Sequence, residues 1–231
     1  HRSREPSTVK PKGTELKIIE SGPFKGLIRN KYRVILADCP WRYITRSPKG
    51  GQKSPDRHYQ TMTIDEIKAL PVRDLAAKDC VLFMWVIDSH VELALEVVKA
   101  WGFTYKTVGL YWAKTNADGT KFPMGTGHWT RANPEHAYEA YFGEEQDAER
   151  CFLNTVGAPK RVGKNVSRLI VAPRREHSRK PADAWHRIEQ LVDGPYLELF
   201  GREQHGDWTV WGDEATKFND PIMYPDIAEV V

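Results

Sequence analysis

The chain has 231 residues, 40% hydrophobic and 28% charged, with a formal net charge of +3. That is enough chain for one sizeable domain or two small ones, with the composition of a soluble globular protein rather than a fibrous or disordered one. No apolar run approaches the roughly 20 residues of a membrane span, no signal peptide is visible, and the mild positive charge is compatible with nucleic acid without requiring it.

Residues 1–13 are polar and basic and read as a loose tail. A single domain is expected over 14–218, and a C-terminal tail over 219–231. The first strand is Tyr32–Ala37, and it closes on Asp38-Cys39-Pro40-Trp41. Proline favours an extended conformation at the residue before it and offers no donor of its own. The Asp38 carboxylate and the Cys39 carbonyl can therefore each accept a hydrogen bond from one amine. Trp41, read as exposed, can stack on a flat ring. This suits capture of an exocyclic amino group on a nucleobase; the same four residues also make a strand-ending turn with an N-cap aspartate.

Thr63-Ile64-Asp65-Glu66 is a capping-box pattern and predicts a short helix ending before Pro71. Cys80–Val86 reads as a buried strand. Ser89-His90-Val91-Glu92 is a second capping-box pattern, opening a helix that runs to about Trp101 and stops at Gly102. Val108–Trp112, Ala137–Phe142, Leu169–Ala172, Tyr196–Phe200 and Thr209–Trp211 read as further strands. Lys180-Pro181 opens a helix with proline at its first position. The apolar face of that helix is Ala184, Trp185, Ile188, Leu191 and Val192, and Asp193-Gly194 ends it. Long polar loops are expected at about 43–60, 114–135 and 143–166. Strands apolar on both faces, alternating with helices, predict an α/β three-layer sandwich.

Further segments carry chemistry. Glu198-Leu199-Phe200-Gly201-Arg202 ends a strand on a glycine, where backbone can approach a ligand, and ligands of open α/β sheets bind at such carboxyl ends. Arg174 to Pro181 is a basic loop at a helix start, suited to an anion or simply a solvated charge run. Gly125 to His136 brings glycines, Arg131 and Glu135 together before a strand. His128 and His136 there read equally as structural hydrogen bonders. The cysteines Cys39, Cys80 and Cys151 form no CxxC pair and are odd in number. A reducing cytoplasm is therefore expected, with neither a disulfide framework nor a metal site.

Taken in order, the Asp38–Trp41 tetrapeptide, Tyr59-Gln60-Thr61-Met62, Leu82-Phe83-Met84-Trp85-Val86, Trp112-Ala113-Lys114-Thr115-Asn116, Gly125–His136, His177-Ser178-Arg179-Lys180-Pro181 and Glu198–Arg202 form a set. The set resembles the adenine-N6 methyltransferase family typified by the catalytic subunit of the eukaryotic mRNA adenosine methyltransferase, and in particular its compact bacterial and phage members. The resemblance spans roughly residues 30–215. It implies a Rossmann-like fold with a mixed, mostly parallel sheet, binding S-adenosylmethionine (SAM). It also implies transfer of a methyl group to the N6 amine of adenine, with DNA favoured over RNA as substrate.

By the same resemblance, Asp38, Cys39, Pro40 and Trp41 match the family's Asp-Pro-Pro-Trp catalytic motif, with cysteine in place of the first proline. Asp38, Lys180, Phe200, Gly201, Arg202, Gln204, His205, Asp213 and Glu214 are the expected cofactor side. Trp41, Tyr59, Lys114, Glu135 and Arg179 are expected near the acceptor base. Lys49, Lys53, Arg57, Lys160, Arg161 and Lys164 are placed to grip phosphates. A monomer or homodimer in the cytoplasm of a bacterium or phage-infected cell is expected. An RNA-directed enzyme and a non-catalytic nucleic-acid-binding subunit are the alternatives.

Overall fold

The structure, a computed structural model, describes residues 17–42, 61–119, 121, 148–175 and 179–218. The expected strand Ala137–Phe142, both expected tails and the 43–60 loop lie outside them. The described elements are β1 (Tyr32–Ala37), α1 (Ile64–Ala69), β2 (Ala76–Val86), α2 (Val91–Ala100), β3 (Thr104–Thr115), β4 (Ala148–Val156), β5 (Leu169–Pro173), α3 (Asp183–Leu191), β6 (Tyr196–Leu199) and β7 (Thr209–Trp211). Among the described residues no helix is long and apolar enough to cross a membrane.

The strands form one sheet in the order β5-β3-β4-β2-β1-β6-β7. β4 runs antiparallel to both its neighbours, and the remaining pairs are parallel. The sheet is therefore mixed and mostly parallel, as a Rossmann-like methyltransferase sheet should be. Alternation along β1 and β2 sends Ile35, Ala37, Leu82 and Met84 into one core with Ile67 of α1 and Ala94, Val97 and Val98 of α2. It sends Val34, Leu36, Phe83 and Trp85 into a second core with Ala184, Trp185 and Ile188 of α3. Each such aliphatic side chain contributes about 1.5–3 kcal/mol on burial, so both faces of the central strands are anchored.

The Thr63 capping box is present: Thr63 N–H donates to Glu66 Oε2 at 2.7 Å, and Glu66 N–H to Thr63 Oγ1 at 3.3 Å. The second expected box is absent. A 3-10 turn at Asp88–His90 leads into α2, His90 occupies the N-cap without a side-chain cap, and Ser89 Oγ lies 2.9 Å from His90 Nδ1. The N-cap thus falls one residue after Ser89, so the Ser89–Glu92 spacing no longer matches a capping box. α3 begins at Asp183, after Pro181 rather than on it, with Arg187 paired to Asp183 one turn on.

The largest correction is β4, which lies inside the expected 143–166 loop. Its polar residues hid its period: Asn154 Nδ2 donates to Leu82 O at 3.1 Å, and Glu149 is held by two lysines. β2 likewise starts earlier than its apolar run, because Lys78 and Asp79 face outward before the strand enters the core.

Candidate active site

β1 is the point where the chain's winding reverses. The strand that follows it, β2, pairs on one side, and β6 pairs on the other. A crevice opens beyond the carboxyl ends of strands at such a point. Here it is a cleft lined by Asp38, Arg179, Lys180, Trp185, Glu198, Phe200, Arg202, Glu203 and Phe218. Asp38 is fixed at its mouth by its backbone N–H, which donates to Leu199 O at 3.3 Å.

On the β4 side the site is a chain of alternating charge. Lys180 Nζ lies 2.7 Å from Asp38 Oδ2 and 3.1 Å from Glu149 Oε2, and Lys114 Nζ donates to Glu149 Oε1 at 2.7 Å. The Lys180 ammonium also sits over the Trp85 ring, 5.6 Å from its centroid, and Lys114 over Trp112 at 5.0 Å. Burial alone would discharge Glu149, but the charges of Lys180 and Lys114 outweigh it and hold the carboxyl down at about 2. Burial likewise works against the Lys180 charge, and Asp38 and Glu149 more than reverse it, raising its pKa above the usual lysine value.

On the β6 side a second buried carboxyl behaves oppositely. Glu198 Oε2 accepts from Trp185 Nε1 at 3.0 Å, and burial pushes its pKa up to about 8. The indole bond and Lys180 pull it down, while Asp38 and Glu203 push it further up. After it the backbone turns sharply. Phe200 takes φ 62, and a Cβ on Gly201 would lie 2.5 Å from Val210 Cγ1. Only glycine fits there, which lets the turn close against β7. Arg179 Nε donates to Glu203 Oε1 at 3.0 Å, Arg175 Nη1 lies 3.7 Å from the same oxygen, and the Phe218 ring lies against the guanidinium carbons of Arg179 and Arg202 at 4.7 and 5.4 Å.

The tetrapeptide differs from expectation in one respect. Trp41 is buried, 8% exposed, and packs with the α1/α2 core, tilted against His90 at 5.9 Å. Its Nε1 has no hydrogen-bond partner among the described residues. The backbone explains the burial: Trp41 N–H donates to Cys39 O at 2.8 Å and Met62 N–H to Pro40 O at 2.9 Å, so a short bridge draws Trp41 inward. The Cys39 carbonyl keeps a second lone pair for another donor. The Cys39 thiol is buried beside the Asp38 charge, and both raise its pKa well above the usual thiol value. It is a packing group rather than a nucleophile.

Of the expected residues, Asp38, Arg179, Lys180, Phe200 and Arg202 line the cleft. Lys114 joins through Glu149. Gln204, His205, Asp213 and Glu214 are not among the lining residues: Gln204 Nε2 reaches Ala215 O at 3.5 Å, Glu214 pairs with Lys217, and His205 stacks on Trp185 with centroids 4.6 Å apart. Tyr59, Glu135, His128, His136, Lys49, Lys53 and Arg57 lie outside the described residues. Glu149 and Glu203 were not anticipated. An acid two residues ahead of the apolar Cys151-Phe152-Leu153 run was the available signal for Glu149, and the neighbouring Glu144, Glu145 and Asp147 masked it.

With this geometry in hand, the chain can be set beside known proteins. The MT-A70 family model matches residues 32–214. The chain belongs to the MT-A70 family. Within it, the chain is similar to a type II methyltransferase, M.MunI, of a Mycoplasma species, with 29% identity over 90% of this chain and 87% of that protein. It is also 31% identical, over 88% of its length, to a putative N(6)-adenosine-methyltransferase MT-A70-like protein of Medicago truncatula. It is 28% identical, over 82%, to the human N(6)-adenine-specific methyltransferase METTL4. It spans only 31% and 39% of those two longer relatives. The chain is thus an MT-A70 methyltransferase, and apart from Phe218 the residues that line its cleft lie inside the matched region.

Proposed function

We propose that this MT-A70 protein transfers a methyl group from SAM to the N6 amine of adenine in DNA. The observation that carries the reading is the placement of Asp38: a carboxylate at the switch-point cleft, kept beside a charged lysine and next to a carbonyl with a lone pair to spare. The residues present fit SAM. Lys180, Arg179 and Arg202 against Asp38 and Glu203 match a zwitterionic amino-acid head, and the sharp turn after β6 brings Phe200 to the cleft. When bound, SAM supplies a methyl group carried on a positively charged sulfur.

The protein's own groups act on the acceptor. Adenine N6 is a poor nucleophile because its lone pair is delocalised into the ring. Lys180 occupies one Asp38 oxygen, and the carboxylate has a second with which to accept an N6 hydrogen. The Cys39 carbonyl accepts the other hydrogen. The two bonds favour a pyramidal amine and fix its direction, and such positioning can supply roughly 7–11 kcal/mol of a barrier in favourable cases. The Asp38 charge also favours the positive charge that grows on nitrogen. Asp38 need not be a strong base, since the methylated amine is acidic enough to lose its proton to water. Trp41 braces the base once its indole turns outward. In a duplex the base must leave the stack, and the exposed Lys160, Arg161 and Lys164 offer charge to the phosphates.

The DNA reading is supported by the near full-length match to a type II methyltransferase of similar size. RNA is the second reading, supported by relatives named for adenosine, among them an RNA methyltransferase of Pyricularia oryzae that is 25% identical. Matched DNA and RNA oligonucleotides, incubated with SAM and digested to nucleosides, separate the two by mass spectrometry of N6-methyladenine. Asp38→Ala should abolish the product while calorimetry still detects SAM binding. Retained turnover would remove Asp38 from its role, and SAM binding with no product on any strand would favour a non-catalytic subunit.

A further inference from the structure

Beside Trp185, on whose ring His205 stacks, three metal-ligating side chains converge. His186 and Glu189 lie one turn apart on α3, and His205 comes from the segment between β6 and β7. His205 Nε2 is 3.4 Å from Glu189 Oε1, His186 Nδ1 is 3.7 Å from Glu189 Oε2, and the donor atoms all lie within 4.8 Å of one another. Donors about 2.0–2.1 Å from a tetrahedral ion are themselves about 3.4 Å apart, so two of these separations already suit a shared ion and the third closes with a small side-chain rotation.

The donors are also oriented from behind. Trp208 Nε1 donates to Glu189 Oε1 at 2.7 Å, and the His205 ring lies flat on Trp185, 15° from parallel. Such outer partners are the usual supports of metal ligands. Glu189 and His186 remain accessible, with side-chain exposures of 34% and 46%, which gives an ion a way in and leaves coordination positions for water.

We propose that His186, Glu189 and His205 bind a divalent transition-metal ion of the zinc type. Two imidazoles and one carboxylate suit zinc, cobalt or nickel and not magnesium, which prefers an all-oxygen set. The ion would tie the β6–β7 segment, which begins at the cleft with Arg202, to α3. It is a clasp rather than part of methyl transfer, and it stands or falls independently of that reaction.

The test uses tag-free, chelator-stripped protein without SAM. Titration calorimetry with zinc chloride should show one saturable equivalent, and zinc should raise the melting temperature where magnesium does not. Cobalt should give the visible absorption of a low-symmetry nitrogen-and-oxygen site. His186→Ala, on an exposed helix face, and Glu189→Gln, which keeps an acceptor for Trp208, should each weaken zinc by at least about tenfold. Absence of saturable binding would overturn the proposal, leaving the three residues as a hydrogen-bonded contact. Undiminished binding in both variants would overturn it too, by moving the zinc to other histidines.

Discussion

Two buried glutamates stand on either side of Asp38 and hold opposite charge states. Glu149, on β4, touches two ammonium groups and stays ionised down to about pH 2. Glu198, on β6, touches an indole N–H and stays protonated up to about pH 8. Both lose their water. What separates them is the partner: two full positive charges against one neutral donor, with Asp38 and Glu203 adding repulsion on the β6 side. Burial alone does not decide the state of an acid; the nearest charge does. Around Asp38 this gives an ionic wall and a neutral wall, so the carboxylate faces a cation on one side and a hydrogen-bonding acid on the other.

The comparison breaks most sharply at Lys180. Lys180→Met leaves Asp38 and Glu149 without their shared counter-ion in a buried place, and removing one partner of a buried pair typically costs about 3–5 kcal/mol. Urea denaturation near neutral pH should show a loss of that size, together with loss of methyl transfer. A loss under about 1 kcal/mol, the value of an exposed pair, would mean that the wall is wetter than its geometry implies. Glu149→Gln should cost less, because Lys180 keeps Asp38. Its clearer signature is in acid. With its folded pKa held below the ordinary value near 4.5, Glu149 contributes stability that is present above about pH 4.5 and lost as pH falls toward about 2. The glutamine variant should lack that part of the acid dependence, as followed by denaturant melts between pH 5 and 3. Parallel curves for the two proteins would dissolve the ionic wall.

How far the sequence disclosed this site follows from what kind of signal each residue leaves. Asp38 and Lys180 sit in short runs with their own punctuation, a proline within two residues of each, and their meeting at one cleft follows from strand order. The strands β1, β6 and β7 and the face of α3 were legible because apolar periodicity marks them. β4 was not, because the partners of its polar residues are remote in sequence: Asn154 donates to Leu82 O, 72 residues away, and Glu149 is held by Lys114 and Lys180, 35 and 31 residues away. Glu149 was lost with it. Trp41 was misjudged for a related reason: its inward turn depends on a backbone bridge to Met62, and nothing local to the tetrapeptide announces it. Local chemistry was readable; pairings across the sheet were not.

The neutral wall gives the mildest test. The folded Glu198 carboxyl titrates near 8 rather than near 4.5, so its contribution to stability is fully present below about pH 4.5 and is lost as pH rises through about 8. Across that window one such group lowers stability by up to about 1.4 kcal/mol per pH unit. Glu198→Gln keeps an oxygen for the Trp185 indole and removes the proton that must be lost. The variant should therefore match wild type near pH 5 and exceed it at pH 9, when both are unfolded in urea at each pH. If the difference between them stays constant from pH 5 to 9, Glu198 is ionised in the folded protein, the two walls carry the same charge, and Asp38 sits among anions that Lys180 alone must balance.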